Sequence, residues 1–177
     1  MTNLIKMIRK TKNNKGFTLV EMMLYVVLAA TVIASTVILL QEVLESRIKN
    51  QVVNEIEGQG SQLVWLLSHE IMSADALNNP QPADISASLE LASTEAAENP
   101  TIIDLDGDTI RITEGADAPV SLTSSKIAAS NLNFQNLSND ETVGVVRFEF
   151  TLTYFNPGSR SEYNYSKTFS GSANIRR

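Results

Sequence analysis

Residues 17–40 form an apolar run, and this run constrains the fold more than any other part of the chain. It reads FTLVEMMLYVVLAATVIASTVILL and contains one charged residue, Glu21. As an α-helix the run would extend about 36 Å, which is enough to cross a hydrocarbon core of about 30 Å. The sequence therefore predicts a helix that spans a membrane.

The distribution of charge orients this helix. Residues 1–16 carry five basic side chains and no acidic one, whereas the whole chain has a formal net charge of −6. Segments on the cytoplasmic side of a membrane helix are enriched in Lys and Arg. We therefore expect a single-pass protein of the inner (cytoplasmic) membrane, embedded in lipid, with its N-terminus in the cytoplasm and its C-terminal domain outside.

Composition excludes several classes of function. The chain has no cysteine and one histidine, which rules out a thiolate metal site, a disulfide framework, a Cys nucleophile and a cluster of His ligands. The 20 acidic side chains exceed the 14 basic ones, which argues against direct binding of nucleic acid. Because the sequence has neither a nucleophile–base pair nor a Gly-rich phosphate loop, we predict no enzyme activity and no cofactor.

Two common N-terminal segments explain the apolar run less well. A secretory signal peptide has an apolar core of about 7–15 residues, which is shorter than this run, and its core should carry no carboxylate. A plain signal anchor explains the length but gives no reason for Glu21. An acid inside a membrane helix is a functional-site hypothesis by default, the alternative being that Glu21 lies at the interface and reaches water.

The residues around the start of the run resemble the cleavage and methylation segment of type IV pilins and pseudopilins. They read Lys15-Gly16-Phe17-Thr18-Leu19-Val20-Glu21 and lead into an uninterrupted apolar helix. The resemblance implies that a prepilin peptidase cuts between Gly16 and Phe17, removes the basic leader, and leaves Phe17 to be N-methylated. It also implies assembly with other pilin or pseudopilin subunits, through this helix, into a type IV pilus, a type II secretion pseudopilus or a DNA-uptake filament.

Cleavage would give Glu21 a charged partner. The new α-amine on Phe17 would lie one helical turn away, where it can pair with Glu21 of its own chain or of a neighbour. The resemblance implies the pairing between subunits, which would set their axial register in a dry helical bundle. Removing one partner of a buried ion pair typically costs about 3–5 kcal/mol.

Residues 41–79 are predicted to continue the helix, with apolar residues four or seven apart on one face. The stripe consists of Leu44, Ile48, Val52, Ile56, Leu63, Leu67 and Ile71, and Glu45 and Glu70 interrupt it. Most of it is expected to pack on the sheet of the same domain, whereas Leu44 and Ile48 are expected to meet neighbouring subunits. Gly58 and Gly60 each weaken a helix by about 1 kcal/mol and are interpreted as a bend.

The rest of the chain has a β-like pattern. Residues 78–100 are rich in Pro, Ala, Ser and acids, which predicts a surface loop with one short helix or strand in it. Turn residues then separate runs typical of strands, at residues 102–105, 109–113, 120–122, 127–134, 143–155 and 163–169, and Asp106-Gly107 predicts a hairpin. We therefore predict an α+β fold in which a long N-terminal helix packs against an antiparallel β-sheet, as in pilins.

These patterns divide the chain into four segments: a leader (1–16), a membrane and assembly helix (17–40), an amphipathic continuation (41–79) and an exported β-rich domain (80–177). Within the superfamily, the layout resembles W-type minor pilins and J-type minor pseudopilins. The similar tracts cover residues 57–63, 119–124 and 131–134. The lack of cysteines departs from many major pilins, whose C-terminal region is closed by a disulfide.

One motif suggests a different class of function. Asp104, Asp106 and Asp108 are spaced like the first ligands of a calcium loop, but Gly115 occupies the twelfth position, where an EF-hand has Glu. A hairpin turn explains these acids better, and we predict no metal. The alternative function that remains is an uncleaved, membrane-anchored extracytoplasmic domain that binds a ligand or calcium.

Overall fold

The computed structural model describes residues 16–138 and 144–175. The leader up to residue 15 and Val143, at the start of one predicted strand, lie outside this range. The described residues have the predicted α+β fold, with a long N-terminal helix, α1 (Leu19–Ser73), followed by antiparallel strands. The chain divides into two compact units, one ending at Leu44 and the other beginning at Glu45, and each is described by itself.

The first unit is helical from Leu19 onward, and all of its described residues, 16–44, are exposed. An 18-residue window in this part of α1 has a mean hydropathy of 2.5 and none of it is buried. Leu28 and Leu39, for example, are 54% and 61% exposed. By length and composition this segment can cross a membrane, which is the environment in which so much exposed apolar surface is stable.

In the second unit, α1 buries one face against the strands. Its buried residues recur every three or four positions, at Val52, Ile56, Gly60, Leu63, Leu67 and Ile71. This spacing places them on one side of a helix with 3.6 residues per turn. The prediction that most of the apolar stripe packs within its own domain is confirmed, and Leu44, at 58%, is exposed.

The helix ends earlier than the sequence predicted. It stops at Ser73, whose hydroxyl donates a hydrogen bond to the Glu70 carbonyl, and the Asp75 amide donates to the carbonyl of Ala92 in the sheet. Ala74 and Leu77 follow Ile71 at intervals of three residues and are buried, which also fits the spacing of a helix. Leu77 is instead buried from a strand, and the prediction of helix up to residue 79 is wrong.

The strands of the described residues form two antiparallel sheets, whereas one sheet was predicted. They are β1 (Ala76–Asn79), β2 (Ile85–Ser86), β3 (Leu89–Ala92), β4 (Thr101–Asp106), β5 (Thr109–Glu114), β6 (Val120–Ser121), β7 (Ile127–Asn136), β8 (Val145–Tyr154) and β9 (Ser166–Asn174). One sheet has the order β1-β3-β4-β5-β6 and the other has the order β2-β7-β8-β9. The predicted surface loop over residues 78–100 therefore contains β2, β3 and the end of β1, and Leu89 and Leu91 of β3 are buried in the core.

Two strand predictions are confirmed in detail. Strands β4 and β5 form the expected hairpin, with Asp106 opposite Thr109 and Gly107 at a φ of +60°. In β8 the even-numbered residues from Val146 to Leu152 are fully buried, as the alternation of apolar and polar residues indicated.

The last strand lies further along the chain than predicted. Tyr163 belongs to a short 3-10 helix (Ser161–Tyr163), and β9 extends to Asn174 through small polar residues with little hydrophobic signal. Phe169 of β9 packs against α1 at Gly60, where an added Cβ atom would overlap its ring. Gly60 therefore allows the close approach of helix and strand, which differs from the predicted role of marking a bend.

Candidate functional site

The predicted cleavage and assembly residues lie together at the start of α1. Gly16, Phe17 and Thr18 precede the helix, which begins at Leu19. The amide of Glu21 donates a hydrogen bond of 3.2 Å to the Thr18 hydroxyl, and the amide of Met22 donates one of 3.1 Å to the Thr18 carbonyl. Thr18 is therefore the N-cap of the helix.

Glu21 occupies the third helical position, where a capping box has Glu or Gln, and in this structure its carboxylate accepts a hydrogen bond from Tyr25. The pattern Thr-x-x-Glu is a sequence signature of a helix start, so this part of the site could have been recognised from the sequence and was missed. It gives Glu21 a local role, because a carboxylate in the first turn also interacts favourably with the helix dipole. A test of Glu21 must therefore separate its charge from its capping ability.

Tyr25 connects Phe17 to Glu21. Its hydroxyl donates a hydrogen bond of 3.4 Å to Glu21 Oε1, and its ring meets the Phe17 ring edge-on, with centroids 6.0 Å apart. The structure thus places Tyr25 against two residues of its own chain. Phe17 and Tyr25 are 68% and 50% exposed, so the cluster is open to a partner.

This cluster can bind a cation through the Glu21 carboxylate. An ammonium group near Glu21 would form a charge-assisted hydrogen bond, which is stronger than a neutral one. The hydroxyl of Tyr25 already holds one carboxylate oxygen in position. Of the residues in the cluster, Phe17 is the one that would carry such an ammonium after cleavage at Gly16.

The acidic hairpin is organised around Arg111. Its guanidinium donates to both carboxylate oxygens of Asp104, at 2.7 and 3.0 Å, and to Asp106 at 2.6 Å. These hydrogen bonds, that to Asp104 above all, raise the pKa of Arg111 above its ordinary value. The backbone carbonyl of Asp108 instead accepts a hydrogen bond from the amide of Ala129. Within residues 16–138 and 144–175, no group of three or more His, Asp or Glu side chains is placed to hold a metal.

A second charged cluster joins α1 to β9, and the sequence analysis did not identify it. Lys167 Nζ donates to both carboxylate oxygens of Glu57 at 2.6 Å, and the Tyr165 hydroxyl donates to Glu57 at 3.1 Å. The Lys167 ammonium lowers the pKa of Glu57, and Glu57 in turn raises the pKa of Lys167. The two partners are 110 positions apart in the chain, so no local pattern could have paired them.

Two tracts of the minor-subunit resemblance contact each other. Gln59 Nε2 donates a hydrogen bond of 2.9 Å to the Ser124 hydroxyl, and the Ser124 amide donates one of 3.2 Å to Gln59 Oε1. This reciprocal pair joins residues 57–63 of α1 to residues 119–124. The two tracts therefore fix the helix to the segment that precedes β7.

The sequence model of the prokaryotic N-terminal methylation motif matches residues 11–37. The chain has a prepilin-type N-terminus. This motif and the long apolar helix that follows it support the type IV pilin and pseudopilin superfamily. A search of curated proteins and a search of solved structures each give no match.

The motif supports a pilin-like subunit that is processed, and it suggests a structural role rather than an enzymatic one. It implies processing by a prepilin peptidase and assembly with other pilins. Within the described ranges, one helix is long and apolar enough to cross a membrane. This helix, near the N-terminus, fits a membrane-anchored pilin-like protein.

Proposed function

We propose that this chain is a minor pilin or pseudopilin, cut between Gly16 and Phe17 and then assembled through α1 into a filament or its tip complex. The observation that carries the proposal is the position of the exposed apolar helix. It begins three residues after Gly16, and its membrane-compatible window is unburied. Such a surface needs lipid before assembly and the apolar helices of other subunits after it.

The orientation in the membrane follows from charge. The basic leader stays in the cytoplasm, where the peptidase acts, and the domain from Glu45 onward lies outside. The machine served is a type IV pilus, a type II secretion pseudopilus or a DNA-uptake filament. The resemblance of residues 57–63, 119–124 and 131–134 supports a minor subunit in any of the three.

The first experiment tests cleavage. The full chain is expressed with and without an active prepilin peptidase, and its intact mass and N-terminal sequence are determined. We expect an N-terminus at Phe17, heavier by one methyl group, only when the peptidase is present. Gly16→Ala should block the mass shift, whereas Gly58→Ala should not, although an added Cβ meets no atom within 4 Å at either glycine. A Met1 terminus in the presence of active peptidase would overturn the proposal and favour an uncleaved, anchored binding domain.

The second experiment tests the register role of Glu21. In the assembled state its carboxylate would pair with the Phe17 α-amine of a neighbouring subunit, and the cost of an unpaired buried charge would penalise wrong registers. Glu21→Gln keeps a side chain that can complete a capping box but removes the charge, and Glu21→Ala removes both. We expect both variants to be inserted and cleaved but poorly incorporated into filaments.

Glu42→Ala is the matched control, because it removes an acid from an exposed position on the same helix. It should be incorporated normally. If Glu21→Gln were incorporated as well as the unmodified chain, Glu21 would act by capping the helix and the register role would be wrong.

A further inference from the structure

The free edge of β9 differs from the other three sheet edges of the described domain. Strand β1 has a bulge between Leu77 and Asn79 and is followed by Pro80. Strands β2 and β6 have two residues each, and Pro119 immediately precedes β6. Short edges, bulges and prolines are the devices by which proteins prevent unwanted strand pairing.

Strand β9 has none of these devices. It has nine residues, contains no proline, and pairs with β8 in unbroken register from Ser166 to Asn174. It is the last strand of its sheet, so its second edge has no neighbouring strand in the described part of the chain. A long, regular and unguarded edge is a template for another strand.

The residues that face this edge can be identified from the hydrogen bonds of β8. The Tyr154 amide donates to the Tyr165 carbonyl, and the Ile175 amide donates to the Gly144 carbonyl. Hydrogen-bonded positions alternate along antiparallel strands, so the odd-numbered residues of β9 bond to β8. The even-numbered residues therefore direct both N–H and C=O to the open edge. They are Ser166, Thr168, Ser170, Ser172 and Asn174.

The side chains leave this edge accessible. All five even-numbered residues are exposed, small and uncharged. The hydroxyls of Thr168 and Ser166 are hydrogen-bonded to Thr151 and Thr153 of β8, at 2.9 and 2.8 Å. These bonds hold the two side chains over the sheet they belong to, and among the described residues the main-chain groups at the open edge have no hydrogen-bond partner.

The one charge in β9 does not block the edge. Lys167 lies on the inner face, and an inward-pointing charge on an edge strand can deter pairing because a new strand would bury it. Its ammonium is already paired with Glu57 at 2.6 Å, so the charge is compensated before any strand arrives. The inner row continues with Phe169, Gly171 and Ala173, which are apolar or lack a side chain.

From this geometry we infer that β9 accepts an extended segment of a neighbouring pilin-class subunit, which pairs antiparallel to it as a fifth strand. The inference rests on the proposed function for the identity of the partner. The segment fits if it has free amides at alternate positions and apolar side chains facing the inner row of Phe169, Gly171 and Ala173. Because Glu57 already compensates the charge of Lys167, a neutral residue of the segment fits opposite Lys167. Main-chain hydrogen bonds would supply affinity and alternate side chains specificity.

The first test asks whether the edge accepts a strand, without requiring the natural partner. A flexible Gly/Ser linker and a strand of alternating Thr and Val are appended after Arg177 of the full chain. The appended strand can then fold back along β9, and the linker makes its effective concentration high. Amide hydrogen exchange of the even-numbered residues should slow by about tenfold or more. A control strand with proline at its pairing positions should leave the exchange unchanged, and equal exchange with both strands would overturn the inference.

The second test asks whether assembly uses the edge. Ser170→Pro removes one open-edge amide but no hydrogen bond to β8, and proline is tolerated on edge strands. Ser170→Ala keeps the amide and is the matched control. Each full chain is expressed in the native host, and leader cleavage, thermal unfolding and incorporation into filaments are measured. We expect Ser170→Pro to be cleaved and folded but incorporated about tenfold less, and Ser170→Ala to match the unmodified chain. Equal incorporation of both variants would overturn the inference.

Failure of the proposed function would give a different result. The unmodified chain would then be neither cleaved nor incorporated, whatever residue occupies position 170. In that case the appended-strand test still decides whether β9 accepts a strand. If Ser170→Pro prevents folding, Ser172→Pro removes a neighbouring open-edge amide and replaces it in the incorporation test.

Discussion

The two parts of helix α1 have the same backbone geometry but opposite surfaces. Residues 22–40 carry no charged side chain, are mostly apolar around the whole circumference and lie exposed, whereas residues 45–73 are apolar on one face, which is buried. Leu39 is 61% exposed and Leu67 is fully buried, although both are leucines of one helix. Both parts are helical, and the arrangement of their apolar residues determines which environment each part requires.

The largest expected effect comes from replacing one leucine by alanine in each part of the helix. Leu67→Ala leaves a cavity between α1 and the sheets, and we expect it to lower the free energy of unfolding of the domain by about 2–5 kcal/mol. Leu39→Ala removes the same atoms from an exposed site and should leave that free energy unchanged. Urea denaturation of the detergent-solubilised chain, followed by near-UV circular dichroism, measures both. Equal losses of unfolding free energy in the two variants would contradict the division of the helix into an exposed part and a packed part.

A smaller effect is expected at the two glycines of the packed part. An alanine at position 60 would place its Cβ against the Phe169 ring, and overpacking of this kind costs about 1–3 kcal/mol. Gly58→Ala meets no atom within 4 Å and should stabilise the helix by up to about 1 kcal/mol. The measurement is the shift in thermal unfolding temperature. Shifts of the same sign would show that the close contact of α1 with β9 is not formed.

The pair of Glu57 and Lys167 predicts a dependence of stability on pH. The pKa of Glu57 is lowered in the folded state, chiefly by Lys167, so its contribution is present above its unfolded pKa and is lost as the pH falls through the folded value. Relative to Glu57→Gln, the unmodified chain should be more stable near pH 7, and the difference should disappear on acidification. Denaturant titrations of both chains from pH 7 to pH 3 measure it, and a constant difference would refute the ion pair.

Glu70 lies near the end of the same helical segment. Replacing it should change the stability of the domain in the opposite direction to Glu57→Gln, and by the smallest amount. Burial is the main cause of the raised pKa of Glu70 in the folded state, so the ionised Glu70 carboxylate destabilises the fold. Glu70→Gln should therefore slightly stabilise the domain near pH 7. This gain should shrink as the pH falls through the raised pKa, because the native carboxyl then becomes neutral as well. The same titrations test it, and destabilisation at neutral pH would contradict the assigned cause.

Much of the fold could be predicted because its signals are local. The apolar run, the stripe from Val52 to Ile71, the turn at Asp106-Gly107 and the alternation along β8 each depend on neighbours within a few positions. Two predictions failed where a local pattern fits more than one structure. The spacing of Ile71, Ala74 and Leu77 suits a helix, but Leu77 is buried from β1. The polar residues after Phe169 give little strand signal, although they complete β9.

The features of the candidate site also divide into those that the sequence indicates and those that only the structure shows. The positions of Gly16, Phe17 and Glu21 were available from sequence, and the capping pattern from Thr18 to Glu21 was also available but was missed. The contact of Tyr25 with both Phe17 and Glu21 needed coordinates, because helical spacing allows that contact without requiring it. The register role of Glu21 stays a prediction, since its partner would belong to another chain.

The membrane-compatible helix, its basic flank and the α+β class could be predicted from the sequence, because they depend on composition and short-range periodicity. The folded structure was needed to show that the described strands form two sheets, that Glu57 meets Lys167, and that β9 has an open edge within the described residues. The partners in these contacts are distant along the chain: Ile85 of β2 pairs with Gln135 of β7, 50 positions away, and Glu57 meets Lys167, 110 positions away. Such pairing depends on which surfaces the whole chain can bury together, and no local pattern encodes that choice.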